Sequence, residues 1–407
     1  MENPKIRFKG FTKDWEQRKL GEIYGSIGNA FVGTATPYYA EHGHFYLESN
    51  NVKDGQINHN AEIFINDEFY EKQKDKWLHT GDMVMVQSGH VGHAAVIPEE
   101  LDNTAAHALI MFRNPKEEIE PYFLNYEYQT DKAKKQIENI TTGNTIKHIL
   151  ASDMQEFVVD IPKYEEQKVI ASYFCKLDHL ITLHQRKCEQ TKKLKKYMLQ
   201  KMFPRNGAKV PEIRFDGFTY DWEQRKFSEL VTIERGGSPR PIDKFITNDE
   251  NGLNWVKIGD APEQGNYITQ TAEKIRPEGL SKTREVHPGD LILSNSMSFG
   301  RPYIMAIDGC IHDGWLAIRD TKKNFDLKFL CTLLGTDGML NQYKAMAAGS
   351  TVNNLNKELV GGTTVAFPMV EEQIKIGDYF TTLDNLITLH QRQTDFYKKP
   401  NFYFISS

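Results

Sequence analysis

The stretch Glu165–Lys187 (EEQKVIASYFCKLDHLITLHQRK) returns as Glu371–Gln393 (EEQIKIGDYFTTLDNLITLHQRQ), with 15 of 23 positions identical. In the first copy, apolar residues alternate three- and four-residue spacings, the a/d seam of a coiled coil: Ile170, Phe174, Leu177 and Ile181. The pattern continues to Phe203, where Pro204 ends it. It predicts a helix of about 38 residues, roughly 57 Å long, that pairs antiparallel with its second copy as a rigid spacer.

A second block is also repeated. Pro4–Leu20 (PKIRFKGFTKDWEQRKL) returns as Pro211–Phe227 (PEIRFDGFTYDWEQRKF), with 13 of 17 positions identical. The two blocks recur at offsets of 207 and 206 residues, but the segments between them barely agree. A constant frame with two different inserts predicts a pseudo-twofold molecule that recognises two different things.

The inserts carry short strand patterns bounded by turns, at His44–Val52, Gly81–Val86, His93–Ile97, Gly252–Asp260 and Pro288–Ser294. Helical stretches are predicted around Pro121–Asn139 and Leu327–Ala347. The predicted fold class is therefore α+β, with two homologous mixed α/β domains joined by an antiparallel coiled coil. The expected boundaries are 1–160 and 205–367 for the domains, and 161–204 and 368–407 for the helices.

Two features of the helices are specific. His184 and His390 occupy matching seam positions, where we favour a polar layer that sets the register over a pH switch or a metal ligand. Pro400 is predicted to end the second helix about a turn beyond Asp395, so that this copy is shortened or altered after about 399.

Composition narrows the class of protein. The chain has 407 residues and a net charge of −5, which argues against coating nucleic acid by bulk attraction. No stretch approaches a membrane span, and the N-terminus lacks the apolar core of a signal peptide. The four cysteines are far apart and form no CxxC, so we expect a cytoplasmic protein without disulfides.

Catalytic motifs are missing from the sequence. There is no phosphate-binding loop ending in Lys-Ser/Thr and no GxGxxG after a strand. The pairs His42/His44 and His90/His93 are the nearest approach to a metal cluster, but they have no Cys or carboxylate partners at ligand spacing, so no metal is expected. An enzyme with its own active site is a poor fit.

Polar loops stand out instead. Gly143–His148 (GNTIKH) and Gly349–Asn354 (GSTVNN) lie at equivalent places and could be ordinary turns or close contacts to phosphates and base edges. The repeated Asp-Trp-Glu-Gln-Arg could be a partner-binding surface or a structural clasp. The basic run from Leu183 to Arg205 could be a solvated helix face or a stripe that faces phosphates or a partner.

These residues together resemble the DNA-specificity subunit of type I restriction-modification enzymes. The resemblance covers almost the whole chain and rests on the ordered, duplicated set of motifs. Its carriers are PEIRFDGF and DWE at 211–223, GGSP at 236–239, WVKIGD at 255–260, AGST at 348–351, and the EEQ…LITLHQR helix, which is present twice.

The resemblance implies a non-catalytic subunit whose two target-recognition domains each bind one half of a split, asymmetric sequence in double-stranded DNA. The spacer helices and shared blocks would dock two methyltransferase subunits, and restriction subunits would join them. No cofactor is expected on this chain, since S-adenosylmethionine, ATP and Mg would be used by the partners. The alternatives are the recognition part of a methyltransferase-nuclease with its own unrecognised active site, and a protein-interaction scaffold.

Candidate DNA-binding residues are polar or basic side chains of the insert loops: Lys53, Ser88, His90, His93, Asn144, Thr145, Lys147, His148, Arg235, Arg240, Lys257, Ser294, Asn295, Ser296, Arg301, Ser350, Thr351, Asn353 and Asn354. Candidate partner-docking residues belong to the shared frame: Trp15, Trp222, Arg186, Lys192, Lys193 and Lys196.

Alanine at Asn353, Asn354 or Arg301 is expected to weaken specific DNA binding, by about 1–3 kcal/mol for each direct base contact that is lost. Titration of the cognate duplex measures the change. Unchanged affinity in all three variants would remove these residues from the site.

Overall fold

The computed structural model describes residues 4, 6–143, 147–205, 207–295, 299–347 and 355–405, except for the side chains of 399–405. The chain forms two compact units. The first comprises Met1–Leu183 with Thr394–Ser407, and the second comprises His184–Gln393. Four described cysteines are free thiols.

The strands of the first unit are β1 Glu16–Lys19, β2 Tyr24–Asn29, β3 Tyr39–Ala40, β4 His44–Leu47, β5 Val52–Lys53, β6 Gln56–Ile57, β7 Phe64–Ile65, β8 Met83–Val86, β9 Ala94–Val96, β10 Ala105–Ala106, β11 Leu109–Pro115 and β12 Val158–Ile161. Its helices are α1 Leu20–Ile23, α2 Asp67–Lys72, α3 Pro121–Glu127, α4 Asp131–Ile140 and α5 Ala151–Gln155, and α6 Tyr164–Lys201 begins in it.

The strands of the second unit are β13 Glu223–Lys226, β14 Thr232–Arg235, β15 Ile246–Thr247, β16 Leu253–Val256, β17 Tyr267–Ile268, β18 Glu273–Ile275, β19 Arg284–Val286, β20 Leu291–Ser294, β21 Pro302–Met305, β22 Gly309–Ile311, β23 Trp315–Arg319 and β24 Thr364–Phe367. Its helices are α7 Leu327–Leu334, α8 Asp337–Ala347, α9 Lys357–Gly362 and the greater part of α10 Val370–Ile405.

The two inserts share one strand order. In the first unit a sheet runs β2-β11-β8-β9, and in the second the corresponding strands run β14-β23-β20-β21, extended by β17. A second sheet runs β10-β4-β7-β3, matched by β22-β16-β18-β15 with β19 added. In both, the pairing of β4 with β10 and of β16 with β22 is parallel. This common order confirms that the inserts are homologous domains.

The inner strands β8 and β20, of the sheets β2-β11-β8-β9 and β14-β23-β20-β21, are buried on both faces. All four residues of β8 (Met-Val-Met-Val) are buried, as are all four of β20 (Leu-Ile-Leu-Ser). A strand buried on both sides requires a continuous apolar run rather than alternation, which is the pattern of these two segments.

The predicted helical stretches of the inserts are present, and each is divided into two helices. The stretch 121–140 is two helices, because the Thr130 side chain caps α4 by accepting a hydrogen bond from the Ala133 N–H. The stretch 327–347 is also two helices, because α7 ends at Gly335 before α8 begins.

The predicted long helices are present, and α6 has 38 residues. Within the second unit, α6 runs antiparallel to α10, as shown by the contacts of His184 with His390 and of the Lys195 ammonium with the Asp384 carboxylate at 2.5 Å. The Cys188 thiol is buried in this seam, 3.8 Å from the carbonyl oxygen of Ile387. The expected end of α10 before Pro400 is wrong, since the helix continues to Ile405. A proline inside a helix removes one backbone hydrogen bond and can kink the helix without ending it.

The two seam histidines contact each other through their Nδ1 atoms, 3.1 Å apart. Two neutral rings can share one hydrogen bond in this geometry, with one nitrogen donating and the other accepting. Two protonated rings would present two donors and two positive charges. The contact is the polar layer expected from the sequence.

This layer makes the helix pair sensitive to acid. Burial lowers the pKa of His184, and the nearby His390 and Lys187 lower it further. Protonation is then less favourable in the folded state, so the stabilisation is complete above about pH 6.5 and is lost as pH falls below it. We expect the free energy of unfolding to fall between about pH 7 and about pH 5 more steeply in the wild type than in His184→Gln. Equal pH dependence in both proteins, measured by chemical denaturation, would contradict this.

In each unit the two repeated blocks are joined by the same kind of ion pair, between an arginine of the first block and a glutamate of the second, which we call the clasp. The Arg7 guanidinium donates to both carboxylate oxygens of Glu166, at 2.6 and 2.7 Å. The Arg214 guanidinium donates likewise to both oxygens of Glu372, at 2.7 Å. Glu372 is fully buried, so its carboxylate has the Arg214 guanidinium as a partner in place of water.

The repeated Asp-Trp-Glu-Gln-Arg motif is part of the same clasp. β1 pairs antiparallel with β12, and β13 pairs antiparallel with β24. The Trp222 side chain is only 2% exposed and packs against Phe203 and Phe329. Its burial corrects the expectation that it docks a partner directly. Trp15 is half-buried against Phe123.

Candidate nucleic-acid interface

In the first unit, the loop between β8 and β9 gathers candidate residues from distant parts of the chain. Ser88 forms a bridge with His148, and the Gly89 N–H donates to the carbonyl oxygen of Lys147 at 3.0 Å. The turn depends on Gly92, which has φ +85 and where a Cβ would lie 2.7 Å from a methyl carbon of Ile137. Three candidate residues therefore meet at one edge.

The two histidines of this loop are held by groups that sequence reasoning missed. Nε2 of His90 lies 3.0 Å from the carbonyl oxygen of Ser49, and Nδ1 of His93 accepts from the Asp54 N–H at 3.2 Å. Lys53 precedes Asp54 at the end of β5. Burial lowers the pKa of His93, so the ring is neutral near neutral pH. Because its Nδ1 accepts a bond, the remaining ring proton is on Nε2, which can donate to a ligand.

All six described candidates of the first insert thus lie around one loop, which we call the first-unit cluster: Lys53, Ser88, His90, His93, Lys147 and His148. The cluster combines two ammonium groups, imidazoles and a hydroxyl, which are donors suited to phosphate oxygens and base edges.

In the second unit, the Gly-Gly-Ser-Pro loop after β14 lies against the turn between β22 and β23. The Gly236 N–H donates to the carbonyl oxygen of Trp315 at 2.9 Å. A Cβ on Gly236 would lie 2.2 Å from the carbonyl oxygen of His312, and a Cβ on Gly237 would lie 2.6 Å from that of Lys282. Only glycine allows this close approach, and it explains the two consecutive glycines.

The turn His312-Asp313-Gly314 is the centre of this region, and the sequence did not single it out. The carbonyl oxygen of Asp313 accepts from the Asn295 side-chain amide at 2.9 Å and from Nε of Arg235 at 3.3 Å. Its carboxylate lies 3.6 Å from the Arg240 guanidinium and 2.9 Å from Nε2 of His312. The turn therefore joins three candidate residues that are far apart in sequence.

An open cleft of about 620 Å³ lies beside this turn, and it is lined by Ser238, Arg240, Ile242, Asp243, Ile246, Trp255, Lys257, Glu273 and His312. Lys257 forms an ion pair with Glu273 across it. The Arg240 side chain is 76% exposed. We call Arg235, Arg240, Lys257, His312 and Asp313 the second-unit cluster.

Three further candidates support loops rather than face solvent. Ser294 and Asn295 are buried, at 0% and 3% exposure, because Ser294 is the last residue of the fully buried β20 and Asn295 directly follows it. The Arg301 guanidinium donates to the carbonyl oxygens of Glu263 and Gly265 and lies 5.0 Å from the ring centre of Tyr303. For Ser294 and Asn295, this placement corrects the expectation of direct DNA contact.

The remaining candidates lie outside the described residues: Asn144, Thr145, Ser296, Ser350, Thr351, Asn353 and Asn354. Leu355, the first described residue after the second polar segment, donates its N–H to the carbonyl oxygen of Asn295 at 3.0 Å. Leu355 therefore lies next to Asn295, whose side-chain amide donates to the Asp313 carbonyl of the second-unit cluster.

The basic run on α6 is largely exposed. Arg186, Lys193 and Lys196 are exposed, and Lys192 forms an ion pair with Glu189 at 3.0 Å. Leu194 and Tyr197 on the same helix are also exposed, as are Leu386 and Leu389 on α10. Single exposed apolar side chains also occur on solvated helices, so this exposure agrees both with a solvated face and with a face that docks a partner.

Within the described ranges, no group of three His, Cys, Asp or Glu side chains is placed to hold a metal ion. Among the same residues, no helix is both long enough and apolar enough to cross a membrane.

The family model of the type I restriction modification DNA specificity domain matches residues 12–193 and again residues 220–395. The chain is 22% identical over 404 residues to the type I restriction enzyme MjaVIII specificity subunit of Methanocaldococcus jannaschii, covering 94% of this chain and 89% of that protein. It is 23% identical over 397 residues to the putative MjaX specificity subunit of the same organism, covering 94% and 90%.

Solved structures show the same fold. The S subunit of a type I restriction-modification system from M. genitalium matches with a TM-score of 0.66 at 14% identity, covering 99% of this chain and 98% of that one. A chain from a study of complex assembly and conformational transition in the type I R-M system matches with a TM-score of 0.50 at 19% identity, covering 97% of each. The predicted fold class is confirmed.

Proposed function

Since this chain belongs to the type I restriction-modification DNA specificity family, we propose that each of its two recognition domains binds one half of a bipartite, asymmetric DNA site. The proposal rests on one observation. Both units contain the same clasp, but the residue clusters of the two units differ. Arg7–Glu166 and Arg214–Glu372 have the same geometry, whereas the two clusters differ in composition: the first has a serine and no arginine, and the second has two arginines and an aspartate. A constant frame with different contact residues is what recognition of two different sequences requires.

The chemistry of the clusters supports DNA as the ligand. Lysines and arginines neutralise phosphates, and arginine and imidazole donors recognise acceptors on base edges. In the second unit, the candidates also border a cleft that is open to solvent. Because the net charge of the chain is −5, the attraction to DNA comes from these local clusters and not from the chain as a whole.

The exposed apolar and basic face of α6 and α10 is the proposed docking site for two methyltransferase subunits, with restriction subunits completing the complex. Leu194 and Tyr197 would supply buried apolar contacts there, and Lys193 and Lys196 would supply the polar rim. In this proposal the chain has no active site of its own. S-adenosylmethionine, ATP and Mg act on the partner subunits, and the complex works in the cytoplasm.

The test is to map methylated adenines in genomic DNA from cells with and without the gene, supplied together with its methyltransferase partner. One bipartite motif is expected to appear only when both proteins are present. Methyl transfer by the purified chain alone would instead favour an enzyme with its own active site. If the mapped adenines were unchanged by removal of the gene, the proposal would fail.

A further inference from the structure

The second-unit cluster contains one feature that DNA binding alone does not explain, a carboxylate among its cations. Asp313 is 33% exposed on its side chain, and the sequence alone would not place an acid next to groups that meet phosphates. A carboxylate in such a place repels the DNA backbone, so its presence calls for a specific role.

The backbone of Asp313 acts as a fixed acceptor. Its carbonyl oxygen accepts from Nε of Arg235 and from the buried Asn295 amide. The next residue is also fixed, because the Asn295 N–H donates to the carbonyl oxygen of Gly314 at 2.9 Å. The turn is therefore rigid, and it sets the direction in which the Arg235 side chain leaves β14.

The side chain of Asp313 makes a different kind of contact. Its carboxylate is 3.6 Å from the guanidinium of Arg240, which is itself mostly exposed. A long, solvent-exposed ion pair is weak, and a phosphate oxygen can replace the carboxylate as the partner of the arginine. Nε2 of His312 lies 2.9 Å from the other carboxylate oxygen and holds the acid in place when Arg240 leaves.

We infer that Asp313 is a positioning residue of the second recognition domain, whose backbone carbonyl orients Arg235 and whose carboxylate holds Arg240 until a DNA phosphate replaces it. This inference rests on the proposed function. At a non-cognate site, where Arg240 does not reach its phosphate, the carboxylate remains close to the backbone and disfavours binding. Asp313 therefore adds to discrimination although it contacts no base.

The test uses the full chain in complex with its methyltransferase subunits and two duplexes, one with the mapped methylation motif and one with its second half scrambled. In Asp313→Asn, the backbone contact to Arg235 is kept and the charge is lost. We expect tighter binding to the scrambled duplex, and a specificity ratio that falls about tenfold. We also expect a salt dependence of binding that is steeper by up to about one phosphate contact, because Arg240 is no longer neutralised within the protein.

Arg240→Gln is the second variant, and because the side chain is exposed it leaves the fold intact. It is expected to make the salt dependence shallower by about one contact. In the Arg240→Gln background, Asp313→Asn should have little further effect on the salt dependence, which an additive structural defect would not produce. Asp308→Asn is the matched control, since Asp308 pairs with His287 at 2.7 Å outside the cluster.

The outcomes separate the two proposals. If the wild-type complex did not distinguish the two duplexes, the proposed function itself would fail. If it did, but Asp313→Asn kept both the specificity ratio and the salt dependence of the wild type, only the role of Asp313 would be overturned. The same holds if Arg240→Gln left the salt dependence unchanged, or if Asp308→Asn changed it as much as Asp313→Asn.

Discussion

Replacing residues 20–157 with the corresponding insert of another specificity subunit is expected to change the first half of the methylated motif completely and to leave the second half as it was. The first-unit cluster lies wholly within the exchanged segment, whereas β1, β12 and the second unit are retained. Loss of all specific contacts to one half-site should reduce binding to the original motif to the non-specific level, a loss of about 1,000-fold or more.

Mapping methylated adenines in cells that carry the exchanged gene measures this result directly. The reciprocal exchange of residues 227–363 is the control, and it should change only the second half. If either exchange altered both halves of the motif, or neither, the assignment of one half-site to each recognition domain would be wrong.

Arg214→Met is expected to lower the free energy of unfolding by about 3 kcal/mol, since it leaves the buried Glu372 carboxylate without its partner. The hydrogen bonds to that carboxylate raise the pKa of Arg214, so the guanidinium remains charged at every ordinary pH. Chemical denaturation of the full chain measures the loss. Replacing Glu372 with Met as well should recover part of it, because a packed apolar pair has no uncompensated charge.

Arg225→Met is the matched control for this prediction. Arg225 lies on the same repeated motif and pairs with Glu229 at 3.0 Å, but both side chains are at least 40% exposed. Exposed ion pairs four residues apart contribute about 0.5 kcal/mol or less. If Arg225→Met lowered the free energy of unfolding as much as Arg214→Met, the buried clasp would contribute no more to stability than an exposed ion pair.

The frame was predictable from sequence because its signal is both periodic and repeated. The seam residues of α6 predicted its length. The duplicated sequence predicted that a second long helix exists, but not where that helix ends. The homologous strand order of the inserts was predictable only in outline, from runs such as Met83–Val86 and Leu291–Ser294. Apolar runs predict where strands are, but they do not determine which strands are neighbours in a sheet.

The contacts within the clasp and the clusters were not predictable. Glu166 and Glu372 follow helix starts, where the helix dipole alone accounts for an acid, and their arginines lie 159 and 158 residues away. Asp313 lies in a three-residue turn with no motif of its own, and its importance comes from partners on two other loops. Ser294 and Asn295 were predicted to contact DNA because they are polar, although they lie at the end of a buried strand, where the Asn295 amide is satisfied by the Asp313 carbonyl.

The pairing of β1 with β12, and of β13 with β24, has a consequence for how such proteins change over generations. Lys19 lies opposite Val158, and Lys226 lies opposite Thr364, so the chain leaves and re-enters each frame at neighbouring points. Any cassette whose two ends are adjacent can be spliced in at that position by recombination, whatever its length, without disturbing the framework around it. A new DNA target could thereby be acquired in one genetic step, while the retained frame stays as it was.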